Sequence, residues 1–509
     1  MADRGVNATS IVRNTMVNSA GGVVTAALAV ILTPVFLREF GPDQYGLWLI
    51  GTVFTVSQGL GLADLGLRQT GVRFVAQSLG RSDEEGVHRT TATLLVILVM
   101  TGAIIAVALV ALVDSFVSWF SVGDQLAHTA RLMFTLVAIQ LPIDLAAGAF
   151  LAVIEGTQRY GLLRIADVGG RAVWGIASVS IAVLGGDVVD VAIASLVIAV
   201  ASLIYSIIVA HHVLPGLRTH PRLITRTGTG ELLRYGSGFT VMRIAGVVYA
   251  QMDRIILGSA IAAAAVARYD VPYKIHALAA LVLSLVPSAI LPASAFLQAT
   301  DDQSKLRELY LRGSRYAVAT CTPIALAALI YAKPLVQTWV DPQYWSLVGE
   351  ARIFLLFPLF VSFHVIGGTM LAGLGRMRIL ATLGVSAILL NLILSLILVG
   401  PYGIKGVIIA TQISYAAAWI PNLVVSLQVF DVSLAVWWQR VLRPNLIAPV
   451  VQVAVGLATL SLVEDLNSFP LVALAVVINA GISVAVFGLV VIGRDERRSL
   501  LATLTPGTS

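Results

Sequence analysis

A single cysteine, Cys321, stands in the 509 residues and sits in an apolar run. No intrachain disulfide is therefore open to the chain, and cysteine-based metal clusters are excluded. Charge is also scarce, at 12% against 58% hydrophobic residues, and mean hydropathy is +0.91. Soluble domains carry roughly 25% charged residues, so this composition is that of a polytopic membrane protein. Long polar connections are missing too: the longest polar stretch, residues 214–229, is too short for an extramembrane domain, so the work is expected inside the bilayer. Gly-rich spots such as Gly21-Gly22, Gly169-Gly170 and Gly367-Gly368 lack the strand-to-helix context of a phosphate loop, which argues against nucleotide hydrolysis. They suit close helix packing. The first apolar run lacks a short h-region ending in a small-residue cleavage site and is read as a retained helix.

What is present is a succession of apolar runs, each long enough to cross a hydrocarbon core of about 30 Å. Fourteen are read: residues 11–37, 45–78, 88–113, 127–155, 161–184, 188–213, 230–260, 263–297, 307–332, 348–374, 377–399, 404–430, 444–463 and 471–492. The connections give an independent check on that count. The odd-numbered gaps are poor in basic residues and carry acids such as Asp114, Asp124, Asp187, Asp190, Asp341, Glu464 and Asp465. The even-numbered gaps and both termini hold Arg81, Arg89, Arg159, Arg164, Arg218, Arg222, Arg226, Arg376, Arg378, Arg440, Arg443, Arg494 and others. The positive-inside rule then places both ends in the cytoplasm, and only an even number of spans permits that. The net charge of +6 is thereby a topology signal, not a nucleic-acid footprint.

The polar stretch 214–229 has the Pro, Arg, Thr and Gly content of a linker. It divides a six-helix lobe, residues 1–213, from a second lobe, residues 230–431; residues 432–509 hold two additional helices and a cytoplasmic tail. An internal echo supports the cut. Glu155-Gly-Thr-Gln-Arg-Tyr-Gly, after the fourth run, matches Ala372-Gly-Leu-Gly-Arg-Met-Arg, after the tenth, with Gly156 against Gly373 and Arg159 against Arg376. Parallel repeats of this kind place a substrate site near the midplane.

The order of features resembles a known family. Asn18 and Pro34 lie in the first helix, Gly-Pro-Asp-Gln-Tyr-Gly-Leu-Trp opens the second, and Leu-Ala-Asp-Leu-Gly-Leu lies at its inner end. Gly-Thr-Gln-Arg-Tyr follows the fourth, Tyr-Asp-Val-Pro-Tyr-Lys-Ile opens the eighth, and Gly-Leu-Gly-Arg follows the tenth. Over essentially the whole chain this resembles the Wzx-type polysaccharide flippases of the multidrug, oligosaccharidyl-lipid and polysaccharide exporter superfamily. The resemblance implies an all-α protein in which two parallel six-helix bundles form a V around a central cavity, followed by two C-terminal helices. It implies a substrate, a polyprenyl-pyrophosphate-linked oligosaccharide, that is turned from the cytoplasmic to the outer leaflet by alternating access. It also implies that helices one, two, seven and eight line the cavity.

A pyrophosphate crossing a bilayer requires cations sheltered from lipid, and Arg offers phosphate a planar fork where Lys offers a point charge. The candidate substrate contacts are Arg13, Asn18, Arg68, Arg171, Arg243, Arg254 and Lys274. Arg243 stands about 20 Å into its run at 1.5 Å per residue, too deep for easy snorkelling. Asp64 with Arg68, Asp167 with Arg171 and Asp270 with Lys274 are four apart, the spacing of one helix face, and structural neutralisation competes with function at each. Asp253 and Arg254 are adjacent and point different ways. Asp144 and His364 are the remaining intramembrane ionisable groups, readable as proton-coupling sites or as interhelical hydrogen-bond partners. No catalytic residue, metal site or cofactor is expected.

Three other functions compete. A lipid II-type peptidoglycan precursor flippase shares the architecture but wants more Arg on helix eight. A multidrug or cation antiporter wants an acidic, aromatic cavity. A membrane-embedded glycosyltransferase or polymerase wants a sizeable outer loop with catalytic residues. The flippase reading places the chain in the cytoplasmic (inner) membrane among lipids, with a glycan polymerase and other biosynthetic membrane proteins as companions and no nucleic acid.

Overall fold

The computed structural model describes residues 27–53, 66–283, 287–299, 302–463 and 466–492, and every regular element among them is helical. Nine segments among the described residues are long and apolar enough to cross a membrane. They include Glu84–Ala111, Asp124–Gly156, Val188–Val213, Gln303–Ile330 and Met377–Val429. The last is really two helices, because Gly403 is left-handed (φ 56°) in its middle, where the sequence places a break between its eleventh and twelfth runs. Gly406 sits so close to the Leu398 carbonyl that no β-carbon fits there, which keeps the two arms tight at the turn.

Local chemistry sets the helix starts. Asp83 accepts the Gly86 N–H at 2.8 Å and Asp302 accepts the Lys305 N–H at 3.0 Å, each satisfying one orphan donor of a 28-residue helix. Asp187 and Asp190 form a reciprocal capping box at Val188. The sequence echo after the fourth and tenth runs is also a structural one. Thr157, Gln158 and Arg159 donate to the Val153, Glu155 and Ile154 carbonyls, and Leu374, Gly375 and Arg376 donate to Met370, Ala372 and Leu371, in the same pattern. Gln158 and Gly375 both take the left-handed conformation, at φ 59° and 71°. The preceding glycines are both close-contact positions. A β-carbon on Gly156 would lie 2.7 Å from Val75, and one on Gly373 would lie 3.0 Å from the Leu291 carbonyl.

The chain forms two compact units, Met1–Tyr269 and Asp270–Ser509. In the first, Asp124–Gly156 is the central helix, packed by Glu84–Ala111, Val188–Val213 and Leu67–Gly80. Its contacts include Leu94, Leu98, Leu141 and Leu145, all buried. Lipid is as apolar as these side chains, so close approach and hydrogen bonding hold such helices together. Gly102 shows this: a β-carbon there would lie 2.6 Å from the Cα of Pro142. In the second unit Gln303–Ile330 is central, packed by Phe469–Val486, Leu356–Ser362 and Ile447–Leu462. The two C-terminal helices are therefore integral to that unit's core. Compactness also groups Arg226–Ala260 with the first unit, where its Gly236 meets Leu67 and its Gly258 meets Ile50 and Phe120. The linker-based division, by contrast, opens the second lobe at residue 230.

Candidate functional site

Two helices are long enough to cross a bilayer yet are not among the nine apolar segments of the described residues: Arg226–Ala260, with 35 residues, and Ala263–Leu283, with 21. Their charges are the reason. The first carries Arg234, Arg243, Asp253 and Arg254, and the second Arg268, Asp270 and Lys274. Thr225 starts the first by accepting the Gly228 N–H at 3.2 Å. Past its far end, the first residue of the second is held by the motif that opens the second predicted helix. Gly46 of Gly-Pro-Asp-Gln-Tyr-Gly-Leu-Trp lies against the Ala263 carbonyl with no room for a β-carbon.

At that end three polar side chains are buried: Gln251, Asp253 and Arg254. Arg254 Nη1 donates to Gln251 Oε1 at 3.1 Å, and Tyr269 Oη donates to Asp253 Oδ2 at 2.7 Å. The adjacent Asp253 and Arg254 thus face different partners, as their spacing requires.

In the second unit Asp270 is fully buried and lies 3.9 Å from Lys274, whose side chain is 19% exposed. This is the four-apart pair read from the sequence. Two residues on, His276 is buried, its Nδ1 3.2 Å from the Phe354 carbonyl and its ring against Phe354 and Phe357. The sequence reading missed His276, because its partner is a backbone carbonyl on another helix.

The other candidates separate into pairs and outliers. The helix that carries Arg68 begins at Leu67, after a left-handed Gly66 (φ 70°); the four-apart partner of Arg68, Asp64, falls outside the described residues. Arg68 Nη2 meets Glu155 Oε2 at 3.1 Å, a partner 87 residues away that spacing could not reveal. Asp167 accepts from Arg171 at 3.1 Å and from Arg164 at 3.4 Å, so one carboxylate serves two guanidiniums. The turn carrying Asp167, Ile165–Gly169, is π-helical, a widening that recurs at functional positions. Asp144 accepts from Gln140 of its own helix at 3.0 Å. His364 Nδ1 lies 3.0 Å from the Phe360 carbonyl one turn back. Arg73, on the helix Leu67–Gly80, stacks over the Tyr235 ring at 4.0 Å. Arg13, Asn18 and Asp64 lie outside the described residues, as does the side chain of Arg243.

The fold defines a class. A multidrug resistance MATE family transporter of the MOP superfamily, in an inward-facing conformation, aligns at TM-score 0.68 and 17% identity over 80% of this chain and 94% of its own. The lipid II flippase MurJ, in an inward closed conformation, aligns at TM-score 0.68 and 11% identity over 95% and 99%. This chain is thus a multi-pass membrane protein with the fold of those exporters. It belongs to the polysaccharide biosynthesis protein family, whose profile matches residues 11–298. It is similar to the "Putative O-antigen transporter" of Shigella flexneri, at 21% identity over 79% of this chain and 94% of that one. It is likewise similar to the "Probable low-salt glycan biosynthesis flippase" of Haloferax volcanii, at 22% identity over 75% and 76%.

Proposed function

We propose that this protein is a flippase, not an enzyme. It carries a polyprenyl-pyrophosphate-linked oligosaccharide from the cytoplasmic to the outer leaflet of the inner membrane by alternating access, for cell-surface polysaccharide biosynthesis. Both termini are then cytoplasmic, and the carrier lipid and its glycan are the partners. The observation that carries the reading is the buried polar strip of Arg226–Ala260, with Gln251, Asp253 and Arg254, inside the region matched by a polysaccharide-biosynthesis family. Fold alone does not choose a branch, because a drug exporter and a lipid II flippase align equally well. The family match and the two glycan-related relatives favour the polysaccharide branch.

In this reading Arg254 and Arg243 meet phosphate, and Lys274 adds a point charge beside Asp270. Arg171, which shares Asp167 with Arg164, is a further contact for the substrate. Arg68 is a positioning residue, because Glu155 holds it.

The test is a proteoliposome assay that follows the sidedness and chemical identity of a labelled polyprenyl-pyrophosphate glycan. Turnover of an unchanged molecule is expected. A charge-assisted hydrogen bond is worth roughly 1.5–3 kcal/mol, so Arg254→Gln and Arg243→Ala are each expected to slow turnover about tenfold or more. Covalent change in the glycan would establish an enzyme instead. Wild-type turnover by both variants would remove these residues from the substrate path.

A further inference from the structure

We infer that the second unit binds an anionic phospholipid. One acyl chain would lie in an apolar groove between Phe363, Trp419 and Leu423 and the connector of residues 434–442, with the phosphate on Arg440 and Arg443. The groove has a volume of about 580 Å³, within the range of small-molecule sites.

Its wall is built by sequence. Ser433 accepts the Val436 N–H at 3.3 Å and starts a helical turn. Trp437 and Val441, four apart, are buried against Leu427 and Phe430. Leu434 and Trp438, on the other side, are 62% and 48% exposed. An amphipathic segment with tryptophan at its edge is suited to the water–lipid boundary, where an indole finds both media.

The groove runs inward from that boundary. Trp419 lies on the same helical arm as Val429, which ends it, about 15 Å away along the axis at 1.5 Å per residue. That is half of a hydrocarbon core of about 30 Å, the depth of one leaflet. An apolar groove at that depth opens to lipid, so a hydrocarbon chain is its natural occupant.

Charge chooses the headgroup. Arg440 and Arg443 lie in the same turns as the lining residues Gln439 and Leu442, and both are exposed. Glu308 serves two arginines, Arg440 Nη1 at 3.1 Å and Arg312, so Arg440 shares its carboxylate. The exposed Arg443 adds a further guanidinium three residues on, and basic side chains beside a lipid-facing groove favour an anionic head over a zwitterionic one. This site is separate from the buried strip of Arg226–Ala260, and it stands or falls independently of the transport reading.

Native mass spectrometry of the delipidated full-length protein tests the proposal. The probes are phosphatidylglycerol and phosphatidylcholine with the same acyl chains, and undecaprenyl phosphate. Phosphatidylglycerol is expected to be retained several-fold over phosphatidylcholine. The Arg440→Gln, Arg443→Gln double variant should lose about tenfold or more of the phosphatidylglycerol adduct and leave phosphatidylcholine unchanged. Ala435→Trp, which fills the groove, should lower both. A photoreactive benzoylphenylalanine in place of Ala435 should capture an acyl-labelled phosphatidylglycerol. Equal retention of the two phospholipids, or a double variant that binds like the wild type, overturns the headgroup assignment. Failure of the photo-capture overturns the groove, and displacement of phosphatidylglycerol by equimolar undecaprenyl phosphate gives the groove to the carrier lipid instead.

Discussion

The helices Glu84–Ala111 and Gln303–Ile330 are the same element used twice. Both have 28 residues, and both start on an aspartate that accepts the N–H three positions on. Yet 22% of the apolar stretch of the first is buried, against 61% of the second. The difference lies in what covers them. Ile447–Leu462 and Phe469–Val486 pack on the second helix, where Gln452 Nε2 donates to the Pro323 carbonyl at 2.6 Å and Asn445 Nδ2 to the Arg315 carbonyl at 3.1 Å. Taking Asp83 and Asp302 as equivalent, Met100 corresponds to Ala319 and Ile104 to Pro323. The first of each pair is exposed and the second buried. The lipid-facing helix is the more apolar of the two, and at these positions it also carries the bulkier side chains, while the helix-facing one keeps small residues that let neighbours approach.

Exchanging bulk across this comparison should give the largest effect. Ala319→Met places the side chain of Met100 into the Ala448 and Phe487 contact and should cost about 1–3 kcal/mol by overpacking. Met100→Ala, facing lipid, should stay within about 0.5 kcal/mol. Thermal unfolding of the purified protein in detergent measures both, and equal losses would erase the distinction drawn here. Next comes Gln452→Leu, which removes the interhelical bond to the Pro323 carbonyl and should cost about 0.5–1.5 kcal/mol in the same assay. An unchanged midpoint would mean that the C-terminal helices are held by shape alone.

The paired turns offer changes of opposite sign. Gly375→Ala forces a β-carbon into the left-handed region and should lose about 1 kcal/mol, while Gln158→Gly relieves that region and should gain a few tenths to about 1 kcal/mol. Losses at both positions would show that the turns are alike only in outline. Smallest is a pH effect at the second aspartate cap. The Lys305 ammonium, at 2.7 Å, together with the Lys305 N–H and the Ser304 hydroxyl, holds the Asp302 carboxyl down to about 2. Its folded value lies below the unfolded one, so its contribution is complete above about pH 4 and fades as pH falls towards 2. The gap in melting temperature between wild type and Asp302→Asn should accordingly narrow on acidification. A gap that is constant with pH would remove the charge from the cap.

Much of this was legible in the chain. Composition and apolar length gave the membrane class, and the boundaries of the third, fourth, sixth and seventh runs fall within a few residues of the observed helices. The Gly156 and Gly373 echo pointed to a turn that the backbone then repeats bond for bond. Asp270 with Lys274 and Asp167 with Arg171 followed from helical spacing. Partners across helices did not. Glu155 for Arg68, Tyr269 for Asp253 and the Phe354 carbonyl for His276 depend on which faces meet, and in a chain where lipid and core look alike no periodicity records that. Gly66 was the local surprise, since a lone glycine in an apolar run is as compatible with a helix as with the start of one.

The π-turn at Ile165–Gly169 works as a phase setter. Each α-helical residue advances the side-chain direction by about 100°, so the surplus residue in that widened turn rotates everything from Gly170 to Val183 relative to the stem that carries Arg164. Arg164 and Arg171 converge on Asp167 across that offset. Excising one residue there would swing the whole downstream face, with Trp174 leaving its stack on Trp48, and would part the two guanidiniums without altering a single charge.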